Sequence, residues 1–218
     1  MVNNQSANQL ENRLKELRDQ LQLLDPHLLA YRTCTSYHPS KNSAGEFQFL
    51  YWQTLVSISY PDFVARNCDT HIELSIFDQT LMAYYFLTCD GFTPTGNWIS
   101  FSELPDGRFY NQAFQGYSGH RVAETFGDDI ELFCKAAINL GGEEWNSWGD
   151  AHYRFQALPF VPLLTVYQLG DDDFPPSCRI LYDAAVNHHL PTDVCALVGS
   201  SLARKLIKEK DSIHENCN

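Results

Sequence analysis

Short β-forming runs fall into two clusters, and this grouping constrains the chain more than any other feature. The first holds Phe47-Gln48-Phe49-Leu50-Tyr51 and Thr54-Leu55-Val56-Ser57-Ile58-Ser59-Tyr60, partly alternating between apolar and polar and stopped by Pro61. The second holds Tyr153-Arg154-Phe155-Gln156-Ala157-Leu158, Leu163-Leu164-Thr165-Val166-Tyr167-Gln168 and Arg179-Ile180-Leu181-Tyr182, punctuated by Pro159, Pro162, Gly170 and Pro175-Pro176. Neighbouring strands joined by a few residues can only pair antiparallel, because a parallel partner needs a long crossover. The pattern therefore predicts an α+β fold, with antiparallel sheets of short strands and helices packed on one face.

Helical spacing fills most of the remainder. Leu10, Leu14, Leu17, Leu21 and Leu24 recur every three or four residues among charged neighbours, which predicts an amphipathic helix over residues 1–24. Five leucines must be covered, either by the chain's own domain or across a dimer or other protein partner, so monomer and dimer are both open. Asp25-Pro26 restarts a short helix, with Asp25 as its cap and proline at the first helical position. Ser75 to Cys89 is apolar on most sides and ends before Gly91, as a buried helix would. Arg121–Phe126, then a helix capped by Asp128 and stopped by Gly141-Gly142, and a last helix from Pro191-Thr192-Asp193 to about Lys208 complete the set. The expected organisation is one α+β domain over 25–208 behind the amino-terminal helix, with a frayed tail over 209–218.

Charge removes several classes of partner. A net charge of −12 over 218 residues repels phosphate backbones and anionic bilayers, so neither nucleic acid nor membrane is expected as a partner. The start, Met1-Val2-Asn3-Asn4-Gln5-Ser6, has no basic stretch followed by an apolar run, and a cytoplasmic location is expected. The seven cysteines are scattered, with no Cys-x-x-Cys, so free thiols and no metal site are expected.

Polar groups that could do chemistry lie mainly in and after the stretch from Asp90 to Tyr110, where Gly, Pro, aromatic and single charged residues alternate without helical or strand period. The stretch reads as an ordered loop anchored by Trp98, Phe101, Phe109 and Tyr110, all expected to be mostly buried. Glu103 and Arg108 either pin it as an ion pair or present themselves to a polar ligand. His120, beyond the turn Gly116-Tyr117-Ser118-Gly119, is a candidate acid–base group, with Glu103 or Asp150 to orient it; helix capping is the plainer role. His188-His189 follows Asp183 closely, but adjacent residues on a strand face opposite ways, which favours a surface or capping role over a shared metal. Asp171-Asp172-Asp173 lacks the spacing of a calcium loop and reads as a solvated turn. No nucleophile elbow, zinc-protease helix or dinucleotide glycine fingerprint is present.

The order Thr95-Gly96-Asn97-Trp98-Ile99-Ser100-Phe101-Ser102-Glu103-Leu104-Pro105, Phe109-Tyr110, Phe114, Phe126-Gly127, Leu140-Gly141-Gly142, Gly149-Asp150, Leu158-Pro159-Phe160-Val161-Pro162-Leu163, Gly170-Asp171 and Leu190-Pro191-Thr192 resembles the uncharacterised prokaryotic family catalogued as domain of unknown function 3786, from about Asp25 to about Leu206. Some relatives carry a cysteine-rich iron–sulfur segment like that of corrinoid iron–sulfur proteins, so the resemblance implies tetrapyrrole or corrinoid handling. No such segment occurs in these residues, and Ser102 stands where relatives often have arginine. Two functional expectations follow. One is a ligand-binding or accessory protein for a small molecule or partner protein, with Trp98, Glu103, Arg108, Tyr110 and Arg154 at an apolar cleft. The other is a small-molecule enzyme using His120 with Glu103 or Asp150.

Overall fold

The computed structural model describes residues 2–41, 44–146 and 149–216. By its internal contacts the chain forms two compact units. Unit 1 takes residues up to Thr93 together with Leu158–Phe160 and His188–Pro191; unit 2 takes Pro94–Ala157, Val161–Asn187 and the chain from Thr192 on. The sequence reading placed 25–208 in one domain, and no change of composition marks this division.

Unit 1 begins with α1 (Val2–Leu21) and α2 (Pro26–Thr33), the latter capped as expected by Asp25, whose carboxylate accepts from Leu28 N at 2.9 Å. Strands β1 (Ser36–Pro39), β2 (Gly45–Tyr51), β3 (Thr54–Tyr60) and β4 (Ala65–Asn67) form an antiparallel sheet in that order. The β2–β3 hairpin turns on Trp52 and Gln53, whose φ angles of 47° and 64° belong to the left-handed region that such two-residue turns require. Helix α3 (Ile76–Thr88) is capped by Ser75 and supplies Phe86, whose ring lies 4.9 Å from Phe47 and 5.7 Å from Phe63. Leu14, Leu17 and Leu21 of the amino-terminal seam are buried where α1 packs on α3, while Leu10 and Leu24 are only partly covered. Tyr85 ties the unit together: its buried hydroxyl donates to Thr33 O at 2.8 Å and accepts from Phe160 N at 3.2 Å.

Unit 2 holds β5 (Trp98–Ser100), a single 3₁₀ turn (Phe101–Glu103), α4 (Gly107–Tyr117), α5 (Gly119–Phe126), α6 (Ile130–Asn139), β6 (Glu143–Glu144), β7 (Ala151–Leu158), β8 (Val161–Gln168), β9 (Ser177–Asp183) and α7 (Thr192–Asn216). Its sheet runs β5-β9-β8-β7-β6, with β5–β9, β8–β9 and β6–β7 paired antiparallel. One face packs on helices: Phe133 of α6 meets Tyr167 at 4.4 Å and Tyr153 at 6.1 Å, and Phe114 of α4 meets Tyr182 at 6.2 Å. The opposite face carries Leu164, Val166 and Leu181, with Trp98 and Trp145 packed against them. Two antiparallel sheets with segregated helices make the fold α+β, as the strand clusters predict.

Several boundaries differ from expectation. The last four residues of the anticipated loop, from Gly107 to Tyr110, open helix α4. Helix α6 is capped by Asp129, which accepts from Leu132 N at 3.0 Å; Asp128 instead holds Gly170 N at 2.8 Å. Helix α7 continues to Asn216 in place of a frayed tail from 209, because its end is anchored: the Lys210 amine donates to Thr125 O on α5, and Glu209 accepts from Asn139 on α6 at 2.9 Å. Cys217 and Asn218 of that expected tail lie outside the described residues. The six described cysteines are free thiols, and no described helix is long and apolar enough to cross a membrane.

Candidate functional site

Of the expected site residues of unit 2, Glu103 and Arg108 line one cavity of 420 Å³ with Ser102, Asp106 and Phe109, and the others lie elsewhere. Glu103 closes a capping box, accepting from both the backbone N–H and the hydroxyl of Ser100 at 2.7 Å, and these hydrogen bonds hold its carboxyl below the usual range. It is not paired with Arg108, which is exposed in the first turn of α4. Arg154 of β7 is tied to its neighbours, with Nη1 3.1 Å from Glu143 and Nη2 donating to Gln156. Along β7 it alternates with Tyr153 and Phe155, and so projects from the sheet face opposite the helices, where Trp98 also packs.

Burial corrects the aromatic anchors. Phe101 is buried, stacked on Phe114 at 4.3 Å, and Trp98 is half-buried at 5.8 Å from Trp145. Phe109 is 92 % exposed and Tyr110 50 %, against the expectation that both are covered. The period of α4 turns Phe109 away from the face of Gly107 and Phe114, which meets the core; Tyr110, three residues after Gly107 and four before Phe114, is on their side of the helix but stays half open because it lines a cavity with Phe101 and Tyr117. The proposed catalytic set is likewise dispersed. Asp150 closes a turn by accepting from Leu169 N at 2.8 Å, and His120 faces a shallow cleft with Glu124, Pro175 and Pro176 to which neither Glu103 nor Asp150 contributes.

A different arrangement forms on the outer side of α4 and α7. The rings of Phe101, Tyr110 and Tyr117 and the side chains of Ala196 and Leu197 line a cavity of 670 Å³, with Asp106, Thr192 and Asp193 at its end. Thr192 braces that end, donating to Pro105 O at 2.8 Å. Tyr110, Tyr117 and Leu197 also line a second cavity of 560 Å³, so the two are one groove. Its continuation carries Arg121 of α5 and Arg204, Ile207, Lys208 and Asp211 of α7. Asp193, Leu197, Ser200, Arg204, Lys208 and Asp211 recur at three- and four-residue spacing, a single stripe of α7. Burial and a hydrogen bond with Tyr110 push the Tyr117 phenol well up, so it stays neutral and able to donate. Of the residues expected to bind ligand, only Tyr110 belongs to this groove.

Unit 1 holds a second constellation. His188 Nδ1 lies 2.7 Å from Asp90 Oδ2, and the His188 ring stacks on Phe92 with centroids 4.3 Å apart and planes 13° apart. The hydrogen bond from His188, then that from Phe92 N, holds the Asp90 carboxyl below its ordinary range. One residue earlier, Cys89 Sγ is 3.3 Å from His189 Nδ1, both fully buried. Burial pushes the Cys89 thiol up, so it is not an activated nucleophile. Asp183, the carboxylate that the sequence placed near these histidines, is occupied in unit 2 by Thr95 N at 2.9 Å, Gly96 N at 2.6 Å and Ala185 N at 2.9 Å. Among the described residues no group of three or more His, Cys, Asp or Glu side chains is placed to hold a metal ion.

The stripe on α7 was open to sequence reading as a heptad-like recurrence from Asp193 to Asp211. The meeting of Asp90 with His188 had no sequence signal, since nothing local links positions so far apart.

The family model described as "Domain of unknown function (DUF3786)" matches residues 25–205, and the chain belongs to that family. Nothing among curated proteins or solved structures matches it.

Proposed function

We propose that the protein is a binding module that takes a small, largely apolar molecule into the groove between α4 and α7. The observation that carries this reading is the 670 Å³ cavity lined by three aromatic rings, Ala196 and Leu197, with Asp106, Thr192, Asp193 and the tyrosine hydroxyls as its few polar groups. Binding sites for small molecules have this size and this mixture of apolar wall and few polar groups. The planar tetrapyrrole that the family resemblance implies does not fit the donor set. Among the described residues that line the groove there is no His, Cys or Met, and Tyr117, a candidate phenolate ligand, is held in its neutral form. The test is fluorescence titration with the neutral dye Nile red. The full chain is expected to bind it, and Tyr110→Ala with Leu197→Asp to weaken binding about tenfold or more, as loss of roughly 1.4 kcal/mol requires. Equal affinity in that double variant would remove the groove as the site.

A second reading, acid–base catalysis at His188, is favoured by one observation: a carboxylate 2.7 Å from a ring that is 44 % exposed, the arrangement that orients a histidine base. Turnover found in a broad hydrolase and isomerase screen and abolished by His188→Gln would support it. Turnover that survives His188→Gln would eliminate it.

A further inference from the structure

We infer that the groove of unit 2 selects an elongated amphipathic anion, a single-chain carboxylate or phosphate monoester, with its apolar chain over Phe101 and Leu197 and its acid group among Arg121, Arg204 and Lys208. This rests on the binding reading above. The argument begins with the distribution of charge. The chain carries 27 acidic side chains against 15 basic ones, yet three of those 15 line the same cavity. Its acidic members are Asp211, and beside it Glu124, which lies 3.5 Å from Arg121. Both members of that ion pair are about two-thirds exposed, at 63 % and 67 %, so the pair is weak and a ligand acid can displace it.

The other end of the groove has the opposite sign. Asp106 and Asp193 stand beside the apolar cavity, so an acid group entering there meets two carboxylates. Attraction at one end and repulsion at the other fix the direction in which an anion lies. Between the ends the wall is formed by Leu197 and the rings of Tyr110 and Tyr117, an apolar surface for a chain, and the Ser200 hydroxyl beside it donates to Leu197 O at 2.9 Å. Leu197 is seven residues from Arg204 and eleven from Lys208 on α7, about 10 Å and 16 Å along the axis, which sets the separation of chain and head group. A compact anion cannot span these two regions, whereas a medium-length chain does.

The experiment is isothermal titration of the full chain with dodecanoate, dodecyl phosphate, dodecanol and dodecyltrimethylammonium, each below its micellar concentration. A parallel arm uses vesicles of phosphatidylglycerol. Dodecanoate and dodecyl phosphate are expected to bind about tenfold or more tighter than dodecanol, the scale of one charge-assisted hydrogen bond. Arg204→Gln with Lys208→Gln, both at exposed positions, is expected to bring dodecanoate to the affinity of dodecanol; Lys208→Glu is expected to do so in a single step. Dodecanol binding as tightly as dodecanoate would overturn the inference and leave an apolar binding groove. Failure of all four amphiphiles and of Nile red would overturn the binding reading itself. Binding to vesicles without binding of monomeric dodecanoate would overturn the inference in favour of a membrane surface.

Discussion

Asp90 and Gly199 show how single positions are constrained by partners far away in sequence. The Asp90 carboxyl is held below its ordinary range chiefly by His188, so the stabilisation that it supplies is present above the unfolded carboxylate's titration range. It is lost as pH falls through the lowered value. Both partners are about half exposed, which keeps the effect small. We predict that carboxyl ¹³C shifts of Asp90 titrate with a midpoint below the ordinary value of about 3.9 and that the midpoint rises towards it in His188→Gln, where the Phe92 N–H bond remains. An unmoved midpoint would mean that the pair does not form in solution. Gly199 lies inside α7, where replacement by alanine would gain about 1 kcal/mol of helix propensity. A Cβ there would meet Tyr182 Oη and sit 2.8 Å from Phe114 Cζ. Overpacking of this kind costs about 1–3 kcal/mol, so crowding should win, and denaturant melts of Gly199→Ala are expected to show a net loss of stability.

At the scale of elements, α1 is the clearest case of sequence dictating packing. Its leucine seam is covered by α3, and the depth of cover varies along it, from Leu17 at 1 % exposure to Leu10, only partly covered. Leu17→Ala should cost about 2–5 kcal/mol, whereas Leu10→Ala should cost less than about 1 kcal/mol, a contrast that chemical denaturation reads directly. Equal costs would show that α1 is covered differently. The hairpin of β2 and β3 and the buried helix α3 were similarly legible, because alternation around Phe47 and Phe49 and all-round apolarity from Ile76 to Phe86 are local properties. Helix α4 was not. Pro105, Asp106 and Gly107 read as loop, and the Asp106 φ of 58° is indeed left-handed, but the chain turns there into a helix instead of continuing as a loop. Aromatic residues alone do not say which face they occupy, which is why Phe101 was placed correctly and Phe109 and Tyr110 were not. The groove was less legible still, since its walls come from elements on either side of the sheet's strands in sequence, and each stripe taken alone looks like an ordinary helix surface.

On the scale of the whole molecule, the two units interleave along the chain. Residues up to Thr93 contain most of unit 1, but Phe160 N caps the hydroxyl of Tyr85, and His188 and His189 partner Asp90 and Cys89. A fragment of residues 1–93 should therefore melt well below unit 1 in the full chain, or fail to fold, as thermal scans and amide exchange would show. A fragment with full-chain protection at Tyr85 and Cys89 would contradict this. The same interleaving orders events during synthesis. His188 emerges 95 residues after Thr93, about 5–20 s later at ribosomal rates of roughly 5–20 residues per second. For the first part of that interval Tyr85 lacks Phe160 and throughout it Cys89 lacks His189, so unit 1 stands open on the ribosome although nearly all of it has been made. Its closing segment ends at Pro191, and α7 of unit 2 starts with the next residue. Translation thus delivers the last parts of both units almost together, and neither can be finished well before the other.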